Sequence, residues 1–290
     1  MQAELTSVQT TDGLTLHGAL YRSSAPPHSK NDLLIFVHGV GSNFYQSSLV
    51  RKTIKLFHEQ GISILSVNTR GHDFVFAAGR GHSESWQGSA NEIVDECRLD
   101  LDAWIRKAGR LGFERIGLWG HSLGAIKVIY SQAMEPSPDI QFMIAVSPSC
   151  LSCSFFKTGS RAEEFEQCLS WAKDQIASSN PSKIDEVSFP FRLMMSPRTF
   201  VDKYGEEERY NVLKFLPDIA MPTHLIFGQL EVQSDNPAFE KLDKRAAEAI
   251  GTHSRVALEV IPDADHYYSG VQSELAHAML AWINGLDANT

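Results

Sequence analysis

The sequence predicts an α/β protein: a mostly parallel sheet with helices on both faces. Three observations carry this. A continuous apolar run at 33–37 and short, largely apolar runs at 62–67, 115–119 and 140–146 have the length and composition of buried strands. Stretches with helical apolar spacing separate them, as crossover connections between parallel strands require. A hairpin signal at the start places antiparallel strands at one edge.

The elements follow in order. Residues 5–10 and 14–21 alternate in character and flank Asp12-Gly13, a tight-turn dipeptide. A polar, proline-containing loop spans 23–32. The strand 33–37 is followed by a helix over 46–60 that stops at Gly61, a residue suited to a helix C-terminus. After the strand 62–67, the segment 90–111 reads as one long amphipathic helix. Its apolar positions Ile93, Val94, Leu101, Trp104 and Ile105 fall near helical spacing. Then come a strand at 115–119, a helix at 123–134 and a strand at 140–146. From about 149 to 216 the rhythm breaks into aromatics, prolines and charged helical pieces such as 161–177. It resumes after Met221-Pro222 with a strand at 224–227, a helix at 238–250, a strand at 256–261 and a closing helix at 271–286. The expected organisation is a core domain of 1–149 and 217–290. Residues 150–216 are inserted at the carboxyl-end side of the sheet, where open α/β sheets bind ligands.

The chain has 290 residues, 43% of them hydrophobic, enough to bury a sizeable core. A formal net charge of −9 argues against a nucleic-acid partner or an anionic membrane surface. No apolar run approaches the ~20 residues of a membrane-spanning helix. The N-terminus lacks the basic start and apolar stretch of a signal peptide. A cytoplasmic location is the expectation. Cys150 and Cys153 form a CxxC, but no second CxxC and no nearby histidine accompany it, so neither zinc nor redox chemistry is expected. A homodimer is compatible with the sequence, which carries no feature that sets the oligomeric state.

Chemistry concentrates at strand ends. Gly120-His121-Ser122-Leu123-Gly124 fits GxSxG directly after an apolar strand and opens a helix. That context suits a nucleophilic serine on a sharp strand-to-helix turn. Small residues two positions to either side let strand and helix approach, and the strained turn lifts the serine oxygen above the sheet. His38-Gly39-Val40-Gly41 follows the strand 33–37. Its glycines free backbone N–H groups, and the amides of Val40 and Leu123 are the expected oxyanion donors. The side chain of His38 reads as a structural hydrogen-bonding group under that loop. His266 follows the last strand in a loop, where a general base can reach Ser122 through one ring nitrogen while an acid holds the other. Most other histidines, such as His17, His28, His58 and His253, fall in loops or at solvent-facing positions. His121 adjoins the serine in sequence but is expected to point away from it. The acid lies in the loop after 224–227, where Glu231 is preferred and Asp235 competes.

With serine, then acid, then histidine along the chain, residues 14–286 resemble the α/β-hydrolase superfamily. The matching pieces are His38–Gly41, Arg70-Gly71-His72, Gly120–Gly124, Gly228–Glu231 and His266. The segment Asn68–Asp73 looks like the loop after the fourth strand of esterases. It departs from the usual pattern in its length and in a second Arg80-Gly81-His82, so it either borders the pocket or is a surface excursion. The run 88–102 is similar to a branch that includes fungal siderophore ester hydrolases. The resemblance implies an α/β-hydrolase fold, a cap at 150–216, and two-step acyl transfer without metal or cofactor. The implied substrate is a carboxylic ester of small or medium size under an aromatic-rich lid. Thioesterase, carbon–carbon bond hydrolase and acyltransferase activities use the same residues, and a non-catalytic ligand-binding homologue is the remaining alternative. A serine nucleophile argues against epoxide hydrolase or dehalogenase chemistry, which needs a carboxylate there.

Overall fold

The computed structural model describes residues 2–25, 32–80, 83–252 and 255–287. Gly81, His82, His28 and His253 therefore lie outside the described residues. The eight strands of the central sheet are β1 (Glu4–Gln9), β2 (Thr15–Tyr21), β3 (Asp32–Val37), β4 (Ser63–Val67), β5 (Arg115–His121), β6 (Ile140–Val146), β7 (Thr223–Gly228) and β8 (Val256–Ile261). Their order across the sheet is β1-β2-β4-β3-β5-β6-β7-β8. β1 and β2 form the antiparallel edge, β2 pairs antiparallel with β4, and the remaining pairs are parallel. This is the predicted α/β class.

The side-chain period of two builds the two layers. Along β3, Leu33, Ile35 and Val37 enter one apolar cluster, while Leu34 and Phe36 enter the other. Helices α1 (Ser48–Glu59) and α7 (Gln272–Asp287) cover the second face, through Leu49, Ile54 and Phe57 on one and Leu275, Met279 and Ile283 on the other. The first face carries α2 (Cys97–Arg110), α3 (Leu123–Met134) and α6 (Leu242–Ile250). Strands sandwiched in this way must be largely apolar on both faces, which is why β3 reads as a continuous apolar run.

Residues 150–216 hold α4 (Ala162–Ala177), α5 (Pro197–Tyr204) and a small hairpin of Asp185–Val187 with Leu193–Met195. Their core is aromatic: Phe156, Phe165, Phe189 and Phe200 are all buried, and the Phe156 and Phe189 rings meet edge to face at 4.9 Å.

Two expectations are corrected. The helix read from residue 90 begins at Cys97, after a single 3₁₀ turn at Val94–Glu96. The missing turns have a cause: Glu92 is buried and reaches Lys127 on α3, and the Ala90 carbonyl accepts from Ser196 N. The helix read from 238 begins at Leu242, because Lys241 has left-handed backbone torsions, φ 51°. The long loop after β4 contains a hairpin, Phe76–Arg80 with Ser83–Gln87. None of its described residues is among those lining the cavity at Ser122, which fits a surface excursion.

Arg70 sits beneath that loop, fully buried. It holds Asp100 at 2.8 Å and Glu96 at 2.5 Å, with Asp12 of the first hairpin at 3.2 Å. The guanidinium thus ties the edge hairpin, the β4 end and α2 into one unit.

Candidate active site

β5 delivers Ser122 at its carboxyl end. Ser122 has φ 57° and ψ −122°, a region that a non-glycine residue enters only under strain. The glycines around it are required sterically. A Cβ on Gly124 would lie 2.1 Å from the Val37 carbonyl oxygen, and one on Gly120 would lie 2.3 Å from that of Gly124. α3 can therefore start against β3 and β5 only if both positions lack side chains. Gly39 is similarly tight, with its would-be Cβ 3.1 Å from Ser122 Cβ.

The loop after β3 runs beside the serine. Thr69 N–H donates to His38 Nε2 at 3.2 Å, so that nitrogen must be the unprotonated one. His38 Nδ1 then carries the proton and donates to the Gly39 carbonyl at 2.8 Å. This gives the side chain the structural role read from the sequence. It also has a directional effect. The Gly39 carbonyl and the Val40 N–H belong to one planar peptide and point in opposite directions. Fixing one fixes the other. Neither the Val40 nor the Leu123 amide donates a hydrogen bond to any of the described residues.

The acid and base lie at the ends of β7 and β8. A one-turn helix, Gln229–Val232, follows β7 and turns the Glu231 side chain inward. Its Oε2 accepts from His266 Nδ1 at 2.8 Å. Its Oε1 accepts from Gly228 N at 2.7 Å and from Ser147 Oγ at 2.5 Å. Tyr268 Oη lies 2.9 Å from the same serine hydroxyl. Both oxygens of this buried carboxylate are thus given partners, as burial demands. Asp235, the competing acid, makes no hydrogen bond to His266 and lines a separate groove.

Ser122, His266, Glu231 and Val40 line one cavity of about 540 Å³, together with Phe191, Phe239 and Tyr267. Ser122 Oγ makes no direct hydrogen bond to the His266 ring. Such contacts commonly tighten only when substrate is bound. His121 does not point away as expected. It forms part of the cavity wall, its Nε2 donates to the His266 carbonyl at 2.8 Å, and its ring lies 4.9 Å from that of His266.

Ser147, Tyr268 and His121 were missed in the sequence. Ser147 had a signal, since it is the first residue past β6 at the carboxyl edge where site residues collect. Tyr268 and His121 had only proximity in sequence. The four cysteines are free thiols, and no metal-holding cluster occurs among the described residues. Among those residues no helix is long and apolar enough to cross a membrane.

Burial, followed by the Lys127 ammonium, holds the His38 imidazole down at about 3. Burial, followed by the neighbouring His266 ring, does the same for His121. His58, His72 and His224 shift in the same direction, again chiefly through burial. Between the unfolded-state value of 6.5 and about 3, the unfolded chain binds protons that the folded chain does not. Stability is therefore lost as pH falls through that window. The urea midpoint is expected to drop between pH 7.5 and 5.5 at constant ionic strength. A midpoint that is flat or rises on acidification would contradict this.

Comparison with known proteins agrees with the fold. No family model matches the chain. A curated relative, the thiohydrolase apmlB of Arthrinium phaeospermum, is 24% identical over 179 residues, which are 62% of this chain and 54% of that protein. The chain thus matches about half the length of that relative. The α/β hydrolase GrgF from Penicillium sp. sh18 superposes with a TM-score of 0.69 at 17% identity, covering 97% of this chain and 98% of its own. Est1E from Butyrivibrio proteoclasticus, solved with ferulic acid bound, gives 0.64 at 17% identity over 96% and 99%. Together with the observed strand order, these likenesses show that the protein has the α/β-hydrolase fold.

Proposed function

We propose that this protein is a serine hydrolase that cleaves a carboxylic ester of small or medium size through an acyl-enzyme on Ser122. One observation carries the reading: the Glu231–His266 hydrogen bond of 2.8 Å opens onto the same cavity as a serine held in a strained turn. In this reading His266 removes the Ser122 proton as the oxygen attacks the carbonyl. The Val40 and Leu123 amides receive the oxyanion. The imidazolium, held by Glu231, then protonates the leaving group, and water activated by the same ring releases the acid. Residues 150–216 serve as the cap, contributing Phe191 to the cavity wall. Apolar walls there bury an acyl or aryl group and exclude water.

Thioester hydrolysis is the second reading, favoured by the name of the curated relative. The same residues serve it, since only the leaving atom differs. The decisive test is intact-mass analysis after treatment with a fluorophosphonate probe. One adduct, mapped to Ser122, is expected. An unlabelled protein under conditions that label a control esterase would overturn the proposal. Paired oxygen and thiol esters of one acyl group then separate the two readings.

A further inference from the structure

Ser122 has a second, much smaller recess against it. A space of about 20 Å³ lies among Val40, Ser122, Leu123, Pro190, Phe191 and Lys203. It is large enough for a single water-sized group. His266 lines the larger cavity and not this one. The recess is therefore bounded by the two residues whose amides are assigned to the oxyanion, and His266 is not among its lining residues.

Lys203 is the unusual residue in its wall. It lies on α5, and its side chain is only 2% exposed. Its ammonium has no well-formed hydrogen bond. The nearest acid, Glu92 Oε2, is 3.4 Å away. That carboxylate already has a closer partner, Lys127 Nζ at 2.5 Å, which also donates to Thr69 Oγ1 at 2.8 Å. Asp202, next in sequence, is engaged by Val94 N, Tyr210 Oη and Arg209. Two buried ammoniums thus share one buried carboxylate. Burial raises the Glu92 carboxyl, but the two lysines overcome this and hold it at about 2, so it remains an anion. Lys203 holds the longer of the two contacts to that carboxylate, and it is also a wall residue of the recess that touches the nucleophile. A buried donor in this state is stabilised by any ligand that brings an acceptor to it.

We propose that Lys203 determines acyl specificity, selecting acyl groups that carry an acceptor oxygen within three bonds of the scissile carbonyl carbon. This rests on the serine-hydrolase reading for its reaction. The recess is too small for a long chain, so the group it takes is short. A β-keto oxygen and a β-carboxylate share the required chemistry.

The experiment compares phenyl butyrate, phenyl acetoacetate and monophenyl malonate, each corrected for its uncatalysed hydrolysis. The wild type is expected to prefer one or both oxygenated esters by at least tenfold in kcat/KM, a range typical of one charge-assisted contact. Preference for acetoacetate alone identifies a keto group, and preference for malonate a carboxylate. In Lys203→Met the ratio is expected to collapse towards one. A wild-type ratio near one, or a preference that survives in Lys203→Met, overturns the proposal. Should the variant fail to fold, the wild-type ratio still decides. The free acids give a readout independent of turnover. Acetoacetate or malonate is expected to raise the wild-type Tm more than butyrate does, and no such difference overturns the proposal whether or not Ser122 reacts. Failed fluorophosphonate labelling with the Tm difference intact would instead locate the error in the serine-hydrolase reading.

Discussion

Ser122→Ala is expected to lower kcat for an activated ester such as phenyl acetate by up to about a million-fold, with KM little changed. The alanine keeps the Cβ, so the turn between β5 and α3 is preserved and the fold should persist. What disappears is the atom that forms the acyl-enzyme in the proposed mechanism. The oxyanion amides and the cavity remain, so a residual rate on the order of a thousandfold over water is compatible with the mechanism. His266→Ala is expected to cost nearly as much, because an unactivated serine hydroxyl is a poor nucleophile. The double variant should be no worse than either single one, since the two groups act as a unit. Turnover within tenfold of wild type in either single variant, measured on protein purified from a host lacking background esterase activity, would place the chemistry elsewhere.

Much of this site was legible because its causes are local. A strand buried on both faces has to be largely apolar, and β3, β5 and β6 were visible for that reason. The turn at Ser122 has to carry glycines, because Cβ atoms at 120 and 124 would collide with backbone oxygens. Other features depend on contacts distant in sequence. The start of α2 is set by Glu92 turning inward to Lys127, a pairing across 35 positions that no helical pattern reveals. The hairpin after β4 has Trp86 exposed, so it lacks the apolar alternation that would have marked it. The segment 150–216 builds its own aromatic core from short pieces, which have no long period to read. The sequence favoured Glu231 over Asp235 without separating them fully, for a similar reason. Both are acids in one loop, and a single helical turn at Gln229–Val232 decides which of them faces His266.

That turn also makes the acid testable by a one-atom change. Glu231→Gln is expected to reduce kcat by on the order of ten-thousand-fold, through the tautomer of His266 and with little change in stability. The carboxylate receives two bonds at Oε1, and the Gly228 N–H can act only as a donor. The glutamine oxygen must therefore occupy the Oε1 position. Its NH₂ then takes the place of Oε2 and donates to His266 Nδ1, where the carboxylate accepted. The ring proton is forced to the other nitrogen, the one that must be free to take the Ser122 proton. The base is present, correctly placed and unable to act. Asp235→Asn leaves this arrangement untouched and is expected to change kcat less than threefold. Nitrogen-15 chemical shifts of the His266 ring give the mechanism a readout of its own: Nδ1 protonated in the wild type, Nε2 protonated in Glu231→Gln. A Glu231→Gln enzyme within tenfold of wild type, or an Asp235→Asn enzyme that loses more, would assign the acid to Asp235.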